Sequence, residues 1–310
     1  MIRAWLEGLR AGASRPGLVL LIWFANLAVA LPAGWVLAES LRESIGSSLV
    51  HEKLRDGFDM GWYGEFRADA QGLEGTFTPA HTGIGAILPN LEGWATGRLF
   101  DQPRPVLGLA VAFLLVWTLI CGGVIERLAR ISNAPRAGGI FQHGGRFFLR
   151  FLRLGLLSVP LYWLVYRLHR WLFNRLSDLL RDVTTESTAL LYTGVVVLFT
   201  ATLLVLVHVC FDYARIVTVI EDRRSMLLAA LRGIGFVLSH PRATLGLYLM
   251  MAVVSLTALL IYAFVAPGIA QTGAVSVLFA FAVSQLFLMV KTAIRVSLLA
   301  AELQLYRART

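Results

Sequence analysis

The chain has 310 residues, 57% hydrophobic and 15% charged, with 28 Lys and Arg against 19 Asp and Glu. A soluble protein carries roughly 25% charged residues, so these values exclude an ordinary soluble domain and indicate the membrane class. The net charge of +9 is then no sign of a nucleic-acid partner, because basic residues of membrane proteins collect on the cytoplasmic side and meet anionic lipid there.

Ile2, Trp5, Leu6 and Leu9 recur at helical spacing and predict a short amphipathic helix over residues 1–15, with Trp5 suited to the membrane interface. Arg3, Arg10 and Arg15 precede an apolar run ending in Ala28-Val29-Ala30, a signal-peptide pattern that we read as an uncleaved anchor. The uncharged run 16–38 has 23 residues, more than the roughly 20 that cross a bilayer as a helix.

Residues 39–104 are the one sizeable polar segment, expected outside the cytoplasm. Leu41, Ile45, Leu49 and Leu54 give its first part an amphipathic pattern that Gly57 ends. Beyond that, aromatic residues alternate with Gly and Pro, which predicts irregular chain and short helix on the membrane surface; Trp62, Tyr63, Phe66 and Trp94 are expected to face a partner.

Further spans are expected at 105–125, 147–169, 187–211, 243–265 and 273–295. The third has an uncharged core of only 13 residues, 154–166, and must extend back through Arg150 and Arg153, whose long stems reach the surface. Residues 212–242 form a cytoplasmic elbow and amphipathic helix. In it Asp222 is expected to cap a helix over 225–238; the functional alternative is a docking knuckle in which Asp222, Arg223 and Arg224 meet a cytoplasmic partner.

The fold expected is a single all-α integral membrane domain of six transmembrane helices in three helical hairpins, each preceded by an amphipathic interfacial helix. Six spans place both termini on one side. That side holds 18 of the cations and 6 of the acids, against 10 and 13 on the other, which puts both termini in the cytoplasm of a bacterial inner membrane. Leu6-Glu7-Gly8-Leu9 through Pro16 aligns with Leu231-Arg232-Gly233-Ile234 through Pro241. Ala129-Arg130-Ile131, Ala214-Arg215-Ile216 and Ile294-Arg295-Val296 fall at similar places in the returning spans, as a threefold internal repeat would arrange them.

Asp212, Arg215, Lys291, Arg295, Glu126 and Arg130 all lie at cytoplasmic span ends, and His208 lies one turn before Asp212. They are expected to converge as an ion-pair cluster or a site for anionic headgroups, since a charge at the membrane boundary costs less when paired. Ser284 and Gln285 are expected to bond between helices. His51, Glu52, Asp56, Asp59 and His81 match no metal-ligand spacing, and Cys121 and Cys210 read as buried thiols, so no metal or cofactor is expected.

Phe211-Asp212-Tyr213-Ala214-Arg215, Glu221-Asp222-Arg223 and the run to Pro241 resemble bacterial polytopic membrane proteins. They are also similar to the membrane domain fused to some glycerophosphodiester phosphodiesterases. The catalytic domain of those enzymes has no counterpart here, so the resemblance implies a membrane fold and no activity. No phosphate-binding loop, nucleophile elbow or His-Glu-x-x-His is present. The expected function is therefore a non-catalytic scaffold or assembly subunit with lipid and protein partners. A permease subunit for an amphiphile is the alternative, and an intramembrane lipid-modifying enzyme the third reading.

Overall fold

The computed structural model describes residues 1–46, 58–78, 85, 87–98, 101–129, 138–180, 185–266 and 273–310. The described chain is all-helical, and six of its helices are long and apolar enough to cross a membrane, which makes this a multi-pass membrane protein. In chain order the α-helices are α1 (Ile2–Ala13), α2 (Pro16–Gly46), α3 (Met60–Asp69), α4 (Leu88–Ala95), α5 (Arg104–Ala129), α6 (Gly138–Leu179), α7 (Glu186–Ile220), α8 (Met226–Ser239), α9 (Pro241–Val265) and α10 (Ala274–Arg307).

Several helices run well past the bilayer. At about 1.5 Å per residue the 42 residues of α6 span about 63 Å, against a hydrocarbon core of about 30 Å. Three boundaries thus differ from the sequence reading. The amphipathic segment from Ile140 to Arg153 and the third span are one uninterrupted helix that contains Pro160. Span one continues through Pro32 to Gly46. The fourth span runs on to Ile220, so Asp212 and Arg215 stand inside α7 rather than in an elbow. Charged residues were read as helix ends, but one charged face does not stop a helix whose other face stays buried.

The six long helices form two tiers. α5, α7 and α10 touch one another at the centre, and α2, α6 and α9 each fill a groove between two of them. The packed core lies at the end of the bundle that carries both termini. It is built from Ile120, Cys121 and Val124 of α5, Tyr213, Ala214 and Ile216 of α7, and Val296, Ala301 and Leu303 of α10.

Close packing of a second kind locks that end. α1 lies on α10, the start of α6 lies on α5, and α8 lies on α7. A glycine makes each contact possible. A Cβ on Gly8 would meet Ala301 Cβ at 2.5 Å and the Ser297 carbonyl oxygen at 2.7 Å, and one on Gly233 would meet Ala214 N and the Cys210 carbonyl oxygen at 2.7 Å. One on Gly144 would strike the Leu119 carbonyl oxygen, and one on Gly123 the backbone of Ile140. These contacts fix where each outer helix crosses its inner one: α1 at Ser297 and Ala301, α8 at Cys210 and Ala214, and the start of α6 at Leu119 and Gly123.

At the other end, α3 folds onto the extension of α2. Asp59 caps it, its Oδ1 accepting from Gly61 N at 2.7 Å and Trp62 N at 3.1 Å. Trp62, Tyr63 and Phe66 are buried against Leu41, Ile45 and Phe77. Trp62 Nε1 donates to Ser44 Oγ at 3.1 Å, and Tyr63 OH donates to the Phe77 carbonyl at 3.2 Å. This corrects the sequence reading of these three rings as outward-facing: they are the core of a small unit, because the amphipathic run through Leu41 and Ile45 supplies an apolar face for them. α4 docks separately, with Trp94 stacked on His169 of α6 at 5.8 Å and His169 Nε2 donating to the Ala95 carbonyl at 3.1 Å.

The glycine register is open to a direct comparison on one helix. Gly233→Ala forces α8 off α7 and should lower stability by about 1–3 kcal/mol. Gly235→Ala, with nothing within 4 Å, should leave it unchanged or raise it by up to about 1 kcal/mol through helix propensity. Thermal unfolding of the two variants in detergent checks this, with a lowered melting temperature expected for Gly233→Ala alone.

Candidate functional site

Polar side chains gather where α5, α7 and α10 meet. The inward stripes carry Trp117, Cys121 and Val124 on α5, His208, Asp212 and Arg215 on α7, and Arg295, Leu299 and Glu302 on α10. The spacing of four then three residues is the heptad spacing that keeps one stripe of each helix on a shared axis. Asp212 is the hub. Its Oδ1 accepts from Arg215 Nη1, and its Oδ2 lies 3.1 Å from His208 Nε2. His208 Nδ1 lies 3.4 Å from the Tyr162 hydroxyl of α6, and the ring meets Tyr248 of α9 edge-on at 6.2 Å. Five helices thus contribute to one cluster.

Arg295 is held differently. Its guanidinium carbon sits 3.6 Å from the centroid of the Trp117 ring, a cation–π contact. Asp212, Arg215 and Tyr248 are its charged and polar neighbours. Among the described residues no carboxylate approaches within salt-bridge distance of it, and its N–H groups make no hydrogen bond. Glu302 is 1% exposed, with Asp212 and Arg215 as its charge neighbours and no partner for Oε2. Trp117 Nε1 and Tyr213 OH are also buried without a partner.

The remaining expected members do not join. Lys291 is exposed, one turn nearer the start of α10 than Arg295. Glu126 is buried and pairs with His143 Nδ1 at 2.8 Å, tying α5 to the start of α6. Arg130, like His51, Glu52, Asp56 and His81, lies outside the described residues. Among the described residues no group of three or more His, Cys, Asp or Glu is placed to hold a metal ion. Cys121 and Cys210 are free and buried.

Sequence reasoning missed Glu302, Trp117, Tyr162 and Tyr248. Glu302 carried a signal, since it is the only acid after Asp222 and falls in an otherwise apolar helix stretch. The other three read as ordinary apolar or interfacial aromatics.

A second charged junction joins the 221–225 turn to its surroundings. Glu221 Oε2 accepts from Arg223 Nε at 2.5 Å and Arg232 Nη1 at 2.6 Å, and Oε1 accepts from Tyr306 OH at 2.8 Å. Burial works against ionising Glu221, but these donors outweigh it and hold its carboxyl below the usual range. Asp222 adopts φ +46° and does not cap α8, which corrects the sequence reading; Ser225 does, accepting from Leu228 N at 3.5 Å. The freed Asp222 carboxylate accepts from Arg150 Nη1 and Arg146 Nη2, both at 2.6 Å. Arg223 is thereby engaged within the turn, and Arg224 alone of the expected knuckle is exposed with no bond among the described residues.

No family model, curated protein or solved structure matches this chain.

The Asp222 junction should show itself in pH dependence. The hydrogen bond from Arg150, with the charges of Arg146 and Arg150, holds the folded pKa of Asp222 below its ordinary value of about 3.9. Its stabilisation is therefore complete above that ordinary value and is lost as pH falls through the lower folded value. The melting temperature of wild type should exceed that of Asp222→Asn at pH 7, and the gap should close only in strong acid, below about pH 4. Melting curves of both proteins from pH 7 to pH 3 check the sign.

Proposed function

We propose that this chain is a non-catalytic subunit of the bacterial inner membrane that organises a complex of other membrane proteins. On this reading the six long helices are three hairpins, α2 with α5, α6 with α7, and α9 with α10. α1, the start of α6 and α8 lie at the inner leaflet, with both termini in the cytoplasm. The excess of cations at the terminal end supports that orientation. Anionic lipid headgroups are the expected neighbours of these basic helices.

The observation that carries the assembly role is the uneven cover of the spans. In the most apolar stretch of α5, 39% of the residues are buried, against 11% in α10 and 6% in α9. α9 exposes Leu249, Val253, Leu256, Leu260 and Phe264 along one face. Helices in lipid associate through packing rather than through the hydrophobic effect, so a span this bare is suited to receive another helix. The resemblance of the 211–241 stretch to a membrane domain fused to enzymes is consistent with a supporting role.

A permease subunit for an amphiphile is the second reading. The observation favouring it is the polar group formed by His208, Tyr162 and Tyr248 between α6, α7 and α9.

A photo-cross-linking residue at Phe264, 88% exposed, separates the assembly role from simple lipid contact. In cells it should give one discrete protein adduct larger than the chain itself. Lipid adducts alone would contradict the assembly role.

A further inference from the structure

The Arg295 guanidinium presents an unusual combination. It has five N–H donors in a fixed plane, all without a hydrogen-bond acceptor among the described residues. It is pinned over Trp117 at 3.6 Å, so its direction is set in advance. Two of the nearby charges are committed to each other, Arg215 to Asp212, and Asp212 also meets His208. Arg295 is half-buried, and none of its nitrogens is among the buried atoms that lack a partner, so the fork remains reachable from outside the protein.

The depth of the group narrows the acceptor. Arg295 is the twenty-second residue of α10 and His208 the twenty-third of α7. At about 1.5 Å per residue both lie about 32 Å from the start of their helices, one hydrocarbon thickness of about 30 Å away. That is the headgroup level of the leaflet at the terminal end. The cluster is reachable beside His208, whose side chain is 36% exposed.

We propose that Arg295, oriented by Trp117 and flanked by His208 and the hydroxyls of Tyr162 and Tyr248, binds a phosphate group, carried either by a lipid headgroup or by a free phosphate ion. A planar guanidinium matches two phosphate oxygens at once, which an ammonium does not. The inference does not depend on the assembly role, because a chain without protein partners has the same site.

The test uses the full chain, purified in detergent and stripped of lipid, with melting temperature followed against added phosphatidylglycerol, diacylglycerol or inorganic phosphate. Saturable stabilisation by phosphatidylglycerol but not by diacylglycerol is expected. If inorganic phosphate fails to stabilise, the ligand is a lipid headgroup; if it also stabilises, free phosphate is the source. Arg295→Gln should raise the half-saturating concentration at least tenfold, while Arg224→Gln, at an exposed position with no bond, should leave it unchanged. Should Arg295→Gln fail to fold, Arg295→Lys keeps the charge but loses the fork, and a threefold or greater weakening is expected. Wild type that responds to neither phosphate-bearing compound overturns the proposal, and so does an Arg295 variant that folds and responds like wild type.

Discussion

The closure of α1 onto α10 is the constraint on which the rest of this structure depends. Three helices, α1, the start of α6 and α8, each lie on the inner helix that precedes them, and for α1 that helix is the last in the chain. The contact is made backbone to backbone at Gly8, where there is no room for a side chain. With it, the three inner helices are held on all sides at one level; without it, α10 would lose the cover that α5 and α7 keep. Close approach of this kind is the usual means by which helices in a membrane gain packing energy, since their apolar side chains gain little by leaving lipid.

Charge is placed where that packing is tightest. Asp212, Arg215 and Glu302 stand inside the bundle, at the end that carries both termini. A buried ion pair there adds little net stability over an apolar substitute, but removing one member is costly, so the cluster discriminates strongly against wrong helix registers. The same logic explains the 221–225 turn, where carboxylates of adjacent residues reach α6 on one side and α8 and α10 on the other. Stability at the terminal end thus comes from apolar packing, and specificity of register from a few polar contacts.

Much of this was legible in the residues themselves. Five uncharged runs, the last of them long enough for two spans, give six long helices, and Gln285 and Ser284 bond between helices as expected, to Trp23 and Tyr262. The pairing of His208 with Asp212 followed from a spacing of four. What could not be read was where a helix carries on through charge: Arg150 and Arg153 look like a boundary, yet only one face of α6 is buried there and the cations occupy the other. Nor were the close helix crossings legible, because they rest on glycines packed against residues elsewhere in the chain, Gly8 on Ala301 above all. Trp62, Tyr63 and Phe66 looked like surface for the same reason, their partners being Leu41 and Ile45 on another helix.

Disulfide trapping between the first and last helices tests the closure most directly. A Cβ at residue 12 would lie 3.1 Å from Ser297 Cβ and 2.9 Å from the Ala293 carbonyl oxygen, so a shift of under about 1 Å between the helices brings the pair to the separation of about 3.8 Å found in disulfides. With Cys121 and Cys210 replaced by Ala, the pair Gly12→Cys and Ser297→Cys should cross-link nearly completely in oxidised membranes, seen as a mobility shift reversed by reductant. A chain that stays fully reduced, while the pair Gly122→Cys and Phe147→Cys on α5 and α6 cross-links, would contradict the closed arrangement.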